Sequence, residues 1–415
     1  MITVADIKEA QANIAGAVHV TPIHSSTTLD TMCGCRVALK GENLQRTGSF
    51  KIRGASNKMA LLSAEEKARG VIAASAGNHA QGVALAAHYT GVHATIVMPK
   101  SASFAKVAAT RGYGAEVVLM GQSYDEAQKH AAKLAKEHNL TFVHAFDDEA
   151  IIAGQGTIGL EIVEQAPDTD IVLVPVGGGG LIAGVSLAIK SLKPSVRVVG
   201  VQASAAPACS QSFKAGHIVE IRASSTVADG IAVAHTGRHP FEIIRRHVDD
   251  MVTVGDETIT QAMVLLLERC KLLVEGAGAV GLAALLEGKV ECAGKSVAVL
   301  LSGGNIDATL IARVIEHGLA DAGRFVVIRV TLLDRPGRLA NVLNCLANAD
   351  ANVLDVVHHR KGLHLPLGHV DVELVLETRD TDHIEQVFAA LAKAGYLQQP
   401  SEGSTVRFVA GDAAV

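Results

Sequence analysis

The sequence predicts an α/β protein whose long first region holds a mostly parallel sheet covered on both faces, followed by a smaller βαββαβ plait. Three observations carry this. Strand-length apolar runs alternate with helix-length segments through most of the chain. Glycine-, serine- and asparagine-rich turns directly follow the strand-like runs, notably at Ser75, Gly177 and Ser302. In open α/β sheets such turns meet at the carboxyl ends of the strands, where ligands sit. Near Asp321-Ala322-Gly323-Arg324 the order changes to runs of strands with two helices between them.

Taken in order, Val71–Ala74 reads as a strand entering the Ser75–His79 turn, with a helix over Ala80–Tyr89. Ala94–Pro99 is a second strand, Ala102–Arg111 a helix, Glu116–Met120 a third strand and Ser123–His138 a long amphipathic helix. This block, about 54–150, reads as a small α/β subdomain inserted in a larger one made of 1–53 and 151–320. The larger one carries the strands before Gly177, Val201 and Ser302. The two together make a first domain over 1–322. Over 323–415 the pattern runs β (Phe325–Leu333), α (Gly337–Ala349), β (Asn352–His359), β (His369–Glu377), α (Asp380–Ala394) and a last strand near Thr405–Val409. That order is the ferredoxin-like plait.

Bulk properties narrow the function. With 415 residues, 49% hydrophobic and 19% charged, the chain fits a globular α/β enzyme. A net charge of −5 and a pI near 6.4 give no electrostatic footprint for nucleic acid. Arg245-Arg246 reads as a solvated helix end. The start, Met1–Asp6, has no basic segment ahead of an apolar one, and apolar runs such as Ser296–Leu301 are far too short for a membrane span. A cytoplasmic protein without membrane contact is expected. The six cysteines are dispersed, and Cys33-Gly34-Cys35 lacks a second pair at zinc spacing, so reduced thiols are expected. The histidines also lack zinc spacing; His358-His359 sit side by side on a strand and face opposite ways. No metal site is expected.

The chemistry concentrates in two motifs. Thr47-Gly48-Ser49-Phe50-Lys51-Ile52-Arg53-Gly54 places one lysine between an aromatic and a β-branched residue. Burial disfavours the charged amine, and a neutral amine condenses with a carbonyl to a Schiff base. Gly177-Gly178-Gly179-Gly180-Leu181 follows the strand-like Ile171–Val176 and leads into a helix, so its backbone N–H groups suit a phosphate. It is not the spaced G-x-G-x-x-G of dinucleotide folds, and Gln202 stands where an acid would be needed, which disfavours a nicotinamide oxidoreductase. An aldehyde-binding lysine with a phosphate loop suggests pyridoxal 5'-phosphate (PLP). The Ser75–His79 turn, between strand and helix start, suits an amino-acid carboxylate.

In their order and spacing, Ser49–Ala55, Ser75-Ala76-Gly77-Asn78-His79-Ala80-Gln81-Gly82, the tetraglycine loop and Ser302-Gly303-Gly304-Asn305 resemble the threonine ammonia-lyase (threonine dehydratase) group of fold-type II PLP enzymes. The resemblance covers about residues 1–320, and the tail resembles a short ACT-like regulatory domain. It implies that Lys51 links to the cofactor and, once released, takes the α-proton. Phe50 packs beside the cofactor as core. Asn78 bonds the ring 3′-oxygen, Gly177–Gly180 with Leu181 cradle the phosphate, Gly230 lines the ring and Ser302 faces its nitrogen. Being neutral, Ser302 favours β-elimination over a long-lived carbanion. Glu275, an acid among small residues, is a further cofactor-side candidate. Ser75, Ala76, Gly77, Asn78 and His79 are the substrate-side candidates, with His79 open as an acid/base or a structural residue under the turn. Ala76 stands where related serine racemases carry a serine, and it cannot move a proton.

The expected reaction is deamination of L-threonine to 2-oxobutanoate, with L-serine to pyruvate beside it, in isoleucine biosynthesis or threonine catabolism. A serine racemase, a 3-hydroxyaspartate ammonia-lyase and a catalytically dead amino-acid sensor remain alternatives. Some relatives hold a divalent cation at an acid where this chain has Gln202; with Ala205, Ala206 and Ala208 nearby, that site is not expected here. The second domain is expected to bind an amino-acid effector around Asp334, Gly337 and Asn341, and the chain to form a homodimer or homotetramer.

Overall fold

The apolar runs become the middles of two parallel sheets. A computed structural model describes residues 2–360 and 367–396, and the chain divides into two compact units, Met1–Asp307 and Ala308–Val415. The first unit begins with α1 (Val4–Asn13), β1 (Ile23–Ser25), α2 (Thr27–Cys33) and β2 (Arg36–Gly41), then a short turn of helix at Glu42–Leu44. Next come α3 (Lys51–Ala60), α4 (Ala64–Arg69), β3 (Val71–Ala74), α5 (Asn78–Thr90), β4 (Ala94–Met98), α6 (Phe104–Gly112), β5 (Glu116–Leu119), α7 (Tyr124–Glu137) and β6 (Thr141–Phe142). The chain continues through α8 (Glu149–Gln165), β7 (Ile171–Pro175), α9 (Gly180–Leu192), β8 (Arg197–Ala203), α10 (Ala208–Ala215), α11 (Arg238–His247), β9 (Asp250–Val254), α12 (Asp256–Leu265), α13 (Gly276–Leu286) and β10 (Ser296–Leu301). Helix starts are set by short polar side chains: Ser63, Ser103, Ser123 and Asp148 each accept an N–H of the first turn.

The larger sheet has the order β1-β2-β10-β7-β8-β9, parallel apart from β1. Every residue of β7 is buried, which is why it reads as an unbroken apolar run. Alternate side chains serve opposite faces. Val172, Val174, Ala298 and Leu300 join the core of α1, α8, α9 and α11, whereas Gly281 of α13 lies against Leu173 and Val299. The smaller sheet, β5-β4-β3-β6, repeats the design inside the block expected at 54–150. Val71, Ala73, Ile96 and Met98 pack with α3 and α5, and Ile72, Ala74 and Val97 pack with α7.

Helices α8 and α9 meet through glycine. A Cβ on Gly184 would stand 2.3 Å from the Ile152 carbonyl oxygen and 2.6 Å from the Gly156 nitrogen, both backbone atoms that cannot swing aside. Gly184→Val is therefore expected to cost about 3 kcal/mol or more, read as a lowered midpoint of thermal unfolding.

The second unit holds α14 (Ala308–Asp321), β11 (Phe325–Leu333), α15 (Arg338–Asn348), β12 (Asn352–His359), β13 (His369–Glu377) and α16 (Thr381–Lys393). Its antiparallel sheet has the order β11-β13-β12, and the alternating burial of β11 and β13 turns Ile328, Val330, Val372 and Leu374 onto α15 and α16. The strand expected near Thr405–Val409 lies outside the described residues.

Most expected elements stand within two residues of their sequence bounds, but some strands were not foreseen. β2 carries Lys40, and β9 begins at Asp250; charges within a short run hide the apolar signal. Helix α5 starts at Asn78 rather than Ala80, so the Ser-Ala-Gly turn ends directly in a helix. Among the described residues no helix is long and apolar enough to cross a membrane, and no group of three or more His, Cys, Asp or Glu side chains is placed to hold a metal ion. All six cysteines are free thiols.

Candidate active site

The turns after β2, β3, β7 and β10 meet on the carboxyl side of the strands, as the sequence pattern required. Lys51 is the first residue of α3. The preceding loop is stitched to the turn after β10: the Phe50 N–H donates to the Ser302 carbonyl at 3.1 Å, the Gly304 N–H to the Gly48 carbonyl at 2.9 Å, and Ser49 bridges Gly303. On its other flank α5 crosses closely, since a Cβ on Gly82 would lie 3.0 Å from the Lys51 backbone carbon. These contacts fix the backbone from which the lysine side chain leaves. Its Nζ donates to the Ala145 carbonyl at 2.9 Å and sits 5.0 Å from the Phe50 ring centre. Burial lowers its pKa from 10.5 to about 8, against the pull of the Glu275 carboxylate.

Ala145 ties the amine to the glycine loop, because the next residue, Phe146, packs onto it. A Cβ on Gly178 would fall 2.4 Å from the Phe146 ring, and one on Gly180 2.8 Å from its carbonyl oxygen. Gly179 has φ +95° with Ile244, Pro240 and Thr236 close by, a conformation and a space that exclude larger residues. It caps α9, whose first turn, with Gly180 and the buried Leu181, leaves its N–H groups without intrahelical acceptors. Gly177 approaches Ile231.

At the opposite edge, Asn78 begins α5 after Gly77. Its Nδ2 donates to Glu275 Oε1 at 2.7 Å, and its Oδ1 accepts from Asn305 Nδ2 at 2.8 Å. Asn305 Nδ2 also donates to the Thr47 carbonyl at 2.7 Å. One amide therefore orients the other. Glu275 is buried, and burial raises its carboxyl from 4.5 to about 7; Asp229 pushes the same way, while the Asn78 bond and the charges of Lys106 and Lys51 oppose it. Gly230 is exposed, and a Cβ there would lie 3.6 Å from Glu275 Oε1. Asp229 is exposed and pairs with Lys106 at 3.5 Å.

Of the turn residues, Ser75, Ala76, Gly77 and Asn78 are half-buried at the amino end of α5. His79 differs: its ring is buried, and Nε2 lies 3.0 Å from the Val143 carbonyl, so Nε2 carries the proton and donates. Burial and the Lys51 charge lower its pKa to about 3. The His79 side chain thus props the turn from beneath, which leaves its backbone N–H beside those of Ser75–Asn78. Ser302 is buried at 3% exposure, and Phe50 is half-buried against the core. Gln202 spends both ends of its amide on the fold, donating to the Val176 carbonyl and accepting from the Ser210 N–H. In the second unit, Asp334, Gly337 and Asn341 are exposed around the start of α15.

Sequence reading passed over the segment His144–Asp147. It follows the two-residue strand β6, too short to mark as one, yet its strand–turn–helix order matches the other site turns. His144 Nδ1 accepts from the Asp147 N–H at 2.8 Å. The Asp147 carboxylate accepts from the Arg238 and His239 N–H groups at 3.1 and 2.9 Å, holding the start of α11 beneath the glycine loop.

The residues present fit PLP. The donor-rich start of α9 offers a phosphate cradle, the lowered Lys51 pKa matches an amine that condenses with an aldehyde, and the Ser49 hydroxyl is buried with no partner among the described residues.

A family model described as "Pyridoxal-phosphate dependent enzyme" matches residues 14–303, and one described as "ACT domain" matches 326–395. The chain is 50% identical over 396 residues to an L-threonine ammonia-lyase of Thermotoga maritima, covering 95% of this chain and 98% of that protein. It is 49% identical over 392 residues to an L-threonine ammonia-lyase of Geobacter sulfurreducens, covering 94% and 97%. Among solved structures, a threonine deaminase of T.th. superposes with a TM-score of 0.70 at 43% identity over 74% of this chain and 99% of that one. Maize serine racemase gives 0.72 at 39% identity over 75% and 96%.

Proposed function

Because the chain belongs to the pyridoxal-phosphate-dependent enzyme family and carries an ACT domain, we propose that it deaminates L-threonine to 2-oxobutanoate and ammonium by β-elimination of water. L-Serine would give pyruvate by the same route. The observation that carries this is the near full-length likeness to L-threonine ammonia-lyases, together with a buried lysine amine of lowered pKa in the cleft. Bound PLP supplies the electron sink that makes the α-proton of an amino acid removable.

In this reading the α9 start, with Gly177–Gly180 and Leu181, holds the phosphate by N–H donation and helix dipole. The start of α5, through the backbone of Ser75–Asn78, holds the substrate carboxylate. Asn78, kept in one orientation by Asn305 and Glu275, serves the oxygen edge of the ring, with Gly230 beside it. Ser302 would face the ring nitrogen without imposing a charge. Lys51, with a pKa of about 8, has a neutral fraction large enough near neutral pH to take the α-proton. Ala76 offers no proton to the opposite face of the α-carbon. That favours elimination over the racemisation named for the maize structure.

For the second domain we propose amino-acid effector binding at Asp334, Gly337 and Asn341, and assembly into a homodimer or homotetramer, which size-exclusion chromatography with light scattering would measure. The domain boundary we propose at 322/323 lies between the two matched stretches, whereas the compact units divide earlier, at 307/308, with α14 in the second. The deciding experiment mixes the PLP-loaded protein with L-threonine and follows 2-oxo acid. Formation of 2-oxobutanoate with a change in the cofactor's visible band is expected. A coloured protein that makes no oxo acid from threonine or serine would sink the substrate assignment while keeping the cofactor.

A further inference from the structure

No step of the proposed reaction uses the four charges buried beneath the Lys51 turn. Lys40, Glu42 and Arg53 have no solvent exposure, and Glu161 has 4%. Arg53 donates from Nε to Glu42 Oε2 at 2.8 Å and from Nη2 to Glu42 Oε1 at 2.7 Å, a two-pronged contact. Its Nη1 donates to Glu161 Oε1 at 2.6 Å and Thr157 Oγ1 at 3.1 Å, and its Nη2 reaches Glu161 Oε2 at 2.9 Å and the His19 carbonyl at 3.2 Å. Lys40 Nζ donates to Glu161 Oε2, the Thr21 carbonyl and Gln165 Oε1 at 2.6, 2.6 and 2.9 Å. Two cations thus face two anions, and every donor is met. Apolar side chains of similar volume commonly serve stability as well as such an array does. Stability alone therefore does not call for it.

Its placement suggests another use. Glu42 follows β2 and Arg53 lies in α3, eleven positions apart, so their contact closes the base of the loop that carries Thr47 to Lys51. Arg53 lies two residues beyond Lys51, about 200° around the helix, so the guanidinium faces into the fold while the amine faces the cleft. Glu161 joins this base to α8, where a Cβ on Gly154 would fall 2.6 Å from Gly54 Cα. The far side of the same loop is sewn to Ser302 and Gly304 by backbone bonds. We propose that the Glu42–Arg53 pair, anchored on Glu161, is a staple that positions Lys51: it fixes the height and rotation of the first turn of α3, and so the point from which the amine works.

This rests on Lys51 being the cofactor lysine. Arg53→Lys keeps the charge and loses the two-pronged contact. In the full-length PLP-loaded protein, kcat for L-threonine is expected to fall about 10- to 100-fold with KM within about threefold, since a small misplacement of a reacting group costs this much. The visible circular dichroism per bound cofactor, which reports how rigidly the cofactor is held, is expected to fall as well. Val199→Ala, a cavity in the middle of β8, serves as the reference for lost stability without lost position and is expected to keep both readouts. Should Arg53→Lys not fold, Glu42→Gln replaces it with the same expectations. The staple is overturned if the charge variant loses thermal stability but keeps kcat and dichroism, or if Val199→Ala loses them equally. An unsubstituted protein that takes up no PLP would instead overturn the assignment of Lys51, with which the staple also falls.

Discussion

Lys51→Ala is expected to abolish 2-oxo acid formation from L-threonine, by about 10⁴-fold or more, and to remove the visible band of bound cofactor. Both losses follow from one side chain. The amine is the group placed to hold the cofactor, and it is also the base: its Nζ stands at the Ala145 carbonyl, and burial brings its pKa to about 8. Lys51→Arg makes the test sharper, because it keeps length and charge but cannot condense with an aldehyde or give up its proton. It should be as inactive as the alanine variant. Steady-state assay with L-threonine, beside an absorbance scan of each protein, reads both outcomes. Activity above about a hundredth of the unsubstituted level in Lys51→Ala would move the base elsewhere.

The second large effect is the contribution of Glu275 to pH-dependent stability, read as the difference between the unsubstituted protein and a Glu275 variant. Burial raises its carboxyl from 4.5 to about 7 in the folded protein. A raised pKa stabilises the fold fully below the unfolded value, and that contribution is lost as pH climbs through the folded one. A rise from 4.5 to about 7 corresponds to about 3 kcal/mol at most. Lys51 works in the opposite sense. Its pKa falls from 10.5 to about 8, so its contribution is complete above 10.5 and is lost as pH drops through 8. The combined contribution of these two groups is therefore least favourable between about 7 and 8, where both carry charge; His79, held neutral, acts the other way below its ordinary value of 6.5. Relative to the unsubstituted protein, Glu275→Gln should gain stability progressively between pH 5 and 8, by up to about 3 kcal/mol at pH 8 and little near pH 4.5. Urea unfolding of the cofactor-free proteins across this range measures it. A difference between the two proteins that does not change with pH would show that the Glu275 carboxyl is not titrating in this way.

Fold class and the order of the long elements were legible in the chain itself, whereas β2, β6 and β9 were not. Backbone periodicity and glycine spacing are local properties, so β7 with the tetraglycine loop, and the βαββα of the second unit, could be read directly. What depends on partners distant in the chain was not legible. His79 turned out to be a neutral prop for the turn because Val143, 64 positions away, takes its proton donor. The orientation of Asn78 depends on Asn305 and Glu275, 227 and 197 positions away. Phe146, overlooked because β6 has only two residues, explains why Gly178 and Gly180 must be bare. Nothing in the sequence marks Lys40, Glu42, Arg53 and Glu161 as buried, since a side chain shows its charge there but never its burial. Desolvation and hydrogen bonding act through space, and only the closed fold brings Glu161 to Arg53 across 108 residues.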